Sequence, residues 1–72
     1  MKKVETYKGF GIYERTDAEL KRSIDELGCI LPRFEVYLPG ESPDAFDAAE
    51  WDADALQECH DFIDSYDSGG TQ

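Results

Sequence analysis

Residues 4–15 are rich in β-forming residues, several of which share one face at period two, as in a β-strand. The residues at period two on that face are β-formers, interrupted once by Lys8: Val4, Thr6, Phe10 and Ile12. Glycine inside a strand often marks a bulge or a close approach between two backbones. The segment therefore predicts one strand with a kink near Gly9.

Residues 33–38 alternate more regularly and predict the second strand. Its apolar face is formed by Phe34, Val36 and Leu38. Pro32 lacks a backbone donor, so it suits the start of the strand or a sheet edge. Tyr37 here and Tyr13 in the first strand fall on the faces opposite the apolar ones. Both tyrosines are therefore expected to be half exposed and are candidate interface anchors.

The first helix is predicted over residues 17–27. Thr16 and Glu19 have the spacing of a capping box, and Gly28 supplies the C-terminal stop. Apolar residues follow at helical spacing within the segment: Leu20, Ile24 and Leu27.

The last helix is predicted over residues 53–66, with Asp52 as the N-cap. Its apolar stripe comprises Leu56, Cys59, Ile63 and Tyr66, with Phe62 beside them. Residues 39–43 contain two prolines and a glycine and predict a turn. Residues 44–51 are ambiguous, since their three alanines favour a helical turn whereas a short strand could pair back on the second strand. We favour a short strand or an extended segment.

The predicted element order is β-α-β-(β)-α, where the bracketed strand is residues 44–51. This order is typical of a small two-layer α+β domain, with two helices packed on one face of a mainly antiparallel sheet. A chain of 72 residues makes one domain, predicted over residues 1–67 and followed by a flexible polar tail at 68–72.

Charge is distributed unevenly between the two halves of the chain. Residues 1–33 contain seven cations and six anions, whereas residues 34–72 contain eleven anions and no cation. The halves therefore carry +1 and −11, and the whole chain −10. Such a chain is not expected to bind nucleic acid directly or to dock on anionic lipid. A basic protein surface is the expected partner.

On the last helix, polar positions away from the apolar stripe are carboxylates, and the preceding segment extends the row. The predicted partner-binding residues are Asp44, Asp47, Glu50, Asp52, Asp54, Glu58, Asp61 and Asp64. Neighbours three or four apart on a helix lie about 5–6 Å from each other, which resembles a row of phosphates in spacing and sign. The alternative is a solvated acidic face with no partner.

Catalytic and metal-binding patterns are weak in this sequence. Asp47 and Glu58 have the spacing of the first and twelfth positions of a calcium loop, but the third, fifth and sixth positions, Ala49, Trp51 and Asp52, do not fit. Cys29, Cys59 and His60 could form a metal site only if the fold brought them together. We therefore expect no metal, no cofactor and no enzymatic activity.

Neither a signal peptide nor a transmembrane helix is expected, because the Met-Lys-Lys start precedes polar residues and no 18-residue apolar run occurs. The two cysteines then predict free thiols in a reducing cytoplasm. The chain is expected to be monomeric.

The stretch Tyr7-Lys8-Gly9-Phe10-Gly11-Ile12, followed by Phe34-Glu35-Val36-Tyr37 and Phe62-Ile63-Asp64, resembles small proteins of phages and other mobile elements. Together with the acidic half, it resembles the small acidic anti-CRISPR proteins. This resemblance implies a stoichiometric inhibitor that imitates DNA and blocks the basic target-DNA or PAM site of a type I CRISPR surveillance complex in a bacterial host. It carries over no catalytic residue.

A second hypothesis is an antitoxin-like or adaptor module that binds through exposed aromatic residues, with incidental acidity. A third is an enzyme or metal protein built on Cys59 and His60. Charge reversal on the last helix distinguishes the DNA-mimic inhibitor from the adaptor module, and metal analysis tests the metal protein.

Overall fold

The computed structural model describes the backbone of residues 1–69 and the side chains of residues 1–66. Four antiparallel strands form one sheet in the order β1-β2-β3-β4, with two helices. The elements are β1 (Lys2–Tyr7), β2 (Phe10–Glu14), α1 (Asp17–Leu27), β3 (Phe34–Tyr37), β4 (Trp51–Ala53) and α2 (Leu56–Gly69). The prediction of a small α+β domain with a mainly antiparallel sheet is confirmed.

The first predicted strand is in fact a hairpin, so the element order β-α-β-(β)-α omitted one strand. Strands β1 and β2 pair antiparallel, with Tyr7 opposite Phe10. The two residues between them turn the chain, and both have positive φ: 51° at Lys8 and 88° at Gly9. Two consecutive left-handed residues are typical of a tight hairpin turn, which explains the glycine. Lysine is an unusual residue at the first of these positions.

Helix α1 has the predicted bounds because its end signals are local. The Thr16 side chain accepts a hydrogen bond from the Glu19 backbone, and the Glu19 carboxylate accepts one from the Thr16 backbone. Gly28 ends the helix in the left-handed conformation, with φ 75°. The stripe prediction is only partly right: Leu20 is buried, whereas Ile24 and Leu27 are exposed.

The main core lies between the sheet and α2. Its buried members are Phe10, Ile12, Val36, Ala53, Cys59 and Ile63. They come from β2, β3, β4 and α2. This confirms the predicted inner faces of the central strands β2 and β3, and the centre of the apolar stripe on the last helix. Helix α1 supplies no member of this cluster. Leu20 and Ile24 of α1 therefore lie outside this core cluster.

The opposite face of the sheet carries a buried polar-aromatic cluster, which corrects the prediction that Tyr13 and Tyr37 are half exposed. Tyr37 is 3% exposed and Tyr13 is 8% exposed, and their rings meet edge to face at 5.2 Å. The Tyr37 hydroxyl donates to Glu35 at 2.7 Å, and Glu35 also pairs with Arg15. Burial and the bond to Glu35 raise the pKa of Tyr37. These tyrosines are structural and are not available as surface anchors.

Only Trp51 of the segment 44–51 belongs to a strand, so the favoured strand over these residues is largely wrong, and a helical turn forms at the start of the segment. A short 3-10 helix forms at Pro43–Ala45, with Ser42 capping it, and strand β4 begins only at Trp51. β4 pairs with β3, as predicted for a strand in this region. Because Ala53 is paired with Phe34 in the sheet, α2 begins at Leu56, and Asp52 is not its N-cap.

Helix α2 continues through Gly69, so it takes in the first two residues of the predicted tail. Residues 70–72 lie outside the described part of the chain. Among the described helices, none has the length and apolar content needed to cross a membrane.

Candidate functional site

Six of the eight predicted partner-binding carboxylates are exposed, and two are partly buried. The exposed ones are Asp44, Glu50, Asp52, Asp54, Glu58 and Asp61. The partly buried ones, Asp47 and Asp64, each have a contact that explains their position. The predicted row therefore divides into separate parts in the folded protein.

Four exposed carboxylates occupy β4, the following junction and the first half of α2: Asp52, Asp54, Glu58 and Asp61. We call these four residues the acidic face. Glu58 accepts a hydrogen bond from the Asp54 backbone at 3.4 Å, and Asp61 accepts one from Gln57 at 3.0 Å. Across the described residues, no member of the acidic face is part of an ion pair. Its charge is therefore available to a partner.

Asp64 lies on a different side of α2 and connects the helix to the β1–β2 hairpin. It pairs with the Lys8 ammonium at 2.8 Å and accepts a hydrogen bond from the Tyr7 hydroxyl at 3.0 Å. The bond to Lys8 is the main reason that the pKa of Asp64 is lowered. His60, one turn earlier, stacks on Tyr7 and contacts Glu5 at 2.7 Å. Asp64 is thus placed in a structural contact, apart from the acidic face.

Asp44, Asp47 and Glu50 belong to the loop before β4. Asp47 accepts a hydrogen bond from the Ser42 backbone at 3.0 Å, which closes the loop around the 3-10 helix. Glu50 donates its backbone N–H to Val36 at 2.8 Å, and its side chain is exposed. These three residues stay predicted contact residues, but only Asp44 and Glu50 present exposed carboxylates.

The described cations that form ion pairs do so with carboxylates outside the acidic face. Arg15 pairs with Glu35, and Arg33 pairs with Glu14 and Asp17. The bond to Glu14 is the main reason that the pKa of Arg33 is raised. The negative charge of the acidic face is therefore not neutralised within the described structure.

An aromatic groove of about 420 Å³ lies between β4 and α2, within the acidic face. It is lined by Trp51, Asp52, Glu58, Asp61, Phe62 and Ser65. Trp51 stacks on Phe62 with ring centroids 4.9 Å apart and ring planes 4° apart, yet remains 49% exposed. The sequence placed Phe62 beside the apolar stripe of the last helix and Trp51 at the end of the ambiguous segment 44–51. The one available signal was that Trp51 stands between two acidic residues, Glu50 and Asp52.

The residues considered for a metal site are separated in the fold. Cys29 is exposed after α1, whereas Cys59 is fully buried in the main core. His60 is partly buried against Glu5 and Tyr7. Within residues 1–66, no group of three or more histidine, cysteine or acidic side chains is arranged to hold a metal ion. Cys59 is thus a core residue, and His60 lies at the boundary of the core.

The two thiols are expected to differ strongly in reactivity. Burial raises the pKa of Cys59 to about 11, so little thiolate forms near neutral pH and the sulfur is inaccessible. Titration of the native protein with Ellman's reagent should release one equivalent rapidly, with a second only after denaturation. A Cys29→Ala variant should lack the rapid equivalent. Two equally fast thiols would contradict the burial of Cys59.

Comparison with models of known protein families, with curated proteins and with solved structures finds no match to this chain.

Proposed function

We propose that the protein is a stoichiometric inhibitor that imitates DNA and occupies the basic groove of a DNA-binding complex through its acidic face. The observation that carries this proposal is a set of four exposed carboxylates outside any described ion pair, around the junction of β4 and α2. A groove that holds phosphates relies on lysine and arginine and makes largely sequence-independent contacts. Carboxylates at helical spacing offer that groove the same sign of charge.

The electrostatics favour rapid capture of a basic partner. Glu58 and Asp61 are three residues apart on α2, a spacing at which Cβ atoms lie about 5–6 Å apart, and Asp54 precedes the helix. Close like charges repel, which raises the free energy of the unbound acidic face. Neutralisation of this face by a basic partner is therefore favourable. Complementary potentials also accelerate encounter between two proteins.

The resemblance to small acidic anti-CRISPR proteins directs the proposal to one target class, the type I CRISPR surveillance complex. The inhibitor would occupy the site that receives the target duplex or its PAM. Within this mechanism the protein performs no covalent step, because occupation of the groove is enough to exclude DNA.

The alternative of an adaptor that binds through Tyr13 and Tyr37 receives less support, since both side chains are buried. The exposed aromatic residue on the same sheet edge as the acidic face is Trp51, which lies among the carboxylates. Binding through this residue would therefore involve the acidic face as well.

Binding should weaken steeply as salt is added. The measurement is displacement of a fluorescent PAM-containing duplex from a purified type I surveillance complex by increasing amounts of this protein. Raising the salt concentration from about 50 to about 200 mM should lower the affinity of the protein for the complex at least about tenfold, because exposed charges are screened.

The direct affinity of protein for complex should be measured in parallel without DNA, because the affinity of the duplex is itself salt-dependent. An unchanged affinity across this range, or failure to displace the duplex at any ratio, would overturn the proposed function.

A further inference from the structure

The aromatic groove has an open aromatic surface that the fold itself does not use. Phe62 covers one face of the Trp51 indole, and the tilted Tyr66 ring lies 5.6 Å from Phe62. Trp51 is still 49% exposed beside this stack, so part of its surface is accessible to a ligand. The stack with Phe62 fixes the orientation of that indole.

Three carboxylates line the groove together with the indole. Asp52 precedes α2 on the edge strand, and Glu58 and Asp61 project from α2 beside Phe62. None of these three is in an ion pair in the described structure. The groove therefore combines an apolar floor with a negatively charged rim.

We propose that the aromatic groove binds one arginine side chain of the basic partner, with its guanidinium on Trp51 and its N–H groups directed to the rim carboxylates. This inference rests on the proposed function and names the side chain that the acidic face selects. A guanidinium is planar, stacks on aromatic faces and donates in its own plane. An ammonium group is more strongly hydrated and cannot stack, so the groove should prefer arginine to lysine.

The single tryptophan makes the groove directly observable, because Trp51 supplies all of the indole fluorescence. The probes are capped Gly-Arg-Gly, Gly-Lys-Gly and Gly-citrulline-Gly peptides, added to the full chain at low salt. We expect a saturable fluorescence change with the arginine peptide, binding that is about threefold or more weaker with lysine, and no saturation with uncharged citrulline. Equal binding of arginine and lysine, or no saturable change with arginine, would overturn the inference.

A Trp51→Leu variant tests the same site by calorimetry and should lower the affinity for the arginine peptide about tenfold. Phe46→Leu is the matched control, since Phe46 is 96% exposed and lies outside the groove. Circular dichroism establishes that both variants are folded, and Trp51→Phe provides a second, more conservative change. Unaltered peptide affinity in both Trp51 variants would contradict the proposed role of the indole.

Displacement of the PAM-containing duplex separates this inference from the proposed function. If Trp51→Leu displaces the duplex as well as the parent chain does, arginine capture at the groove is wrong while the DNA-mimic function stands. If the parent chain binds the arginine peptide but never displaces the duplex, the groove is supported and the DNA-mimic function is wrong.

Discussion

Replacement of Tyr37 by alanine is expected to remove a large part of the free energy of unfolding at 25 °C. Tyr37 is 3% exposed, packs edge to face on Tyr13 and donates to Glu35. Removing a buried aromatic ring costs about 3–5 kcal/mol. A domain of this length has a free energy of unfolding on the order of 4–11 kcal/mol. Urea denaturation followed by circular dichroism should show the loss directly.

Tyr37→Phe is the control that separates the ring from the hydroxyl. It keeps the contact with Tyr13 and removes only the bond to Glu35, so we expect a loss of about 1–3 kcal/mol. If Tyr37→Ala lost less than about 1 kcal/mol, its burial would be contradicted and a surface role would become tenable again.

The position of Tyr37 was only partly predictable from the sequence. Alternation along the second predicted strand placed it correctly on the face opposite Val36. Burial of that face depends on Arg15, Glu35 and Tyr13, which are brought together by the pairing of β2 with β3. Period-two patterning gives the face of a residue but does not show what covers it.

Local signals were the most informative part of the sequence. Helix α1 was predicted with its observed bounds because Thr16, Glu19 and Gly28 act within a few residues of its ends. The β1–β2 turn was missed because Lys8 is not one of the residues usual at positive φ. Helix α2 was predicted three residues too early at its start because Asp52 and Ala53 pair in the sheet, which no local pattern near them indicates.

The charge of the candidate site could be predicted from the sequence, but the arrangement of its residues in space could not. Counting charged residues identified every member of the acidic face. Separation of Asp64 from that face depends on Lys8 and Tyr7, which are more than fifty residues away in the chain. The groove depends on the stack of Trp51 and Phe62, which forms only when β4 pairs with β3 and α2 packs behind it.

Reversal of two charges on the acidic face should abolish most partner binding while the fold persists. In an Asp54→Lys/Asp61→Lys variant, two attractive contacts with a basic groove become repulsive, and like-charge contacts across an interface cost several kcal/mol. We therefore expect affinity for the surveillance complex to fall at least about 100-fold. Both side chains are exposed and neither is in an ion pair, so thermal unfolding should shift little.

Asp25→Lys/Glu26→Lys is the matched control, because it makes the same change in net charge on exposed positions of α1. If the location of the charge matters, this control should retain binding within about threefold of the parent chain, since charges beyond a Debye length are largely screened. Equal losses in the two variants would mean that net charge alone drives association. Retention of binding in both would show that the partner does not contact the acidic face, and the DNA-mimic proposal would then fail.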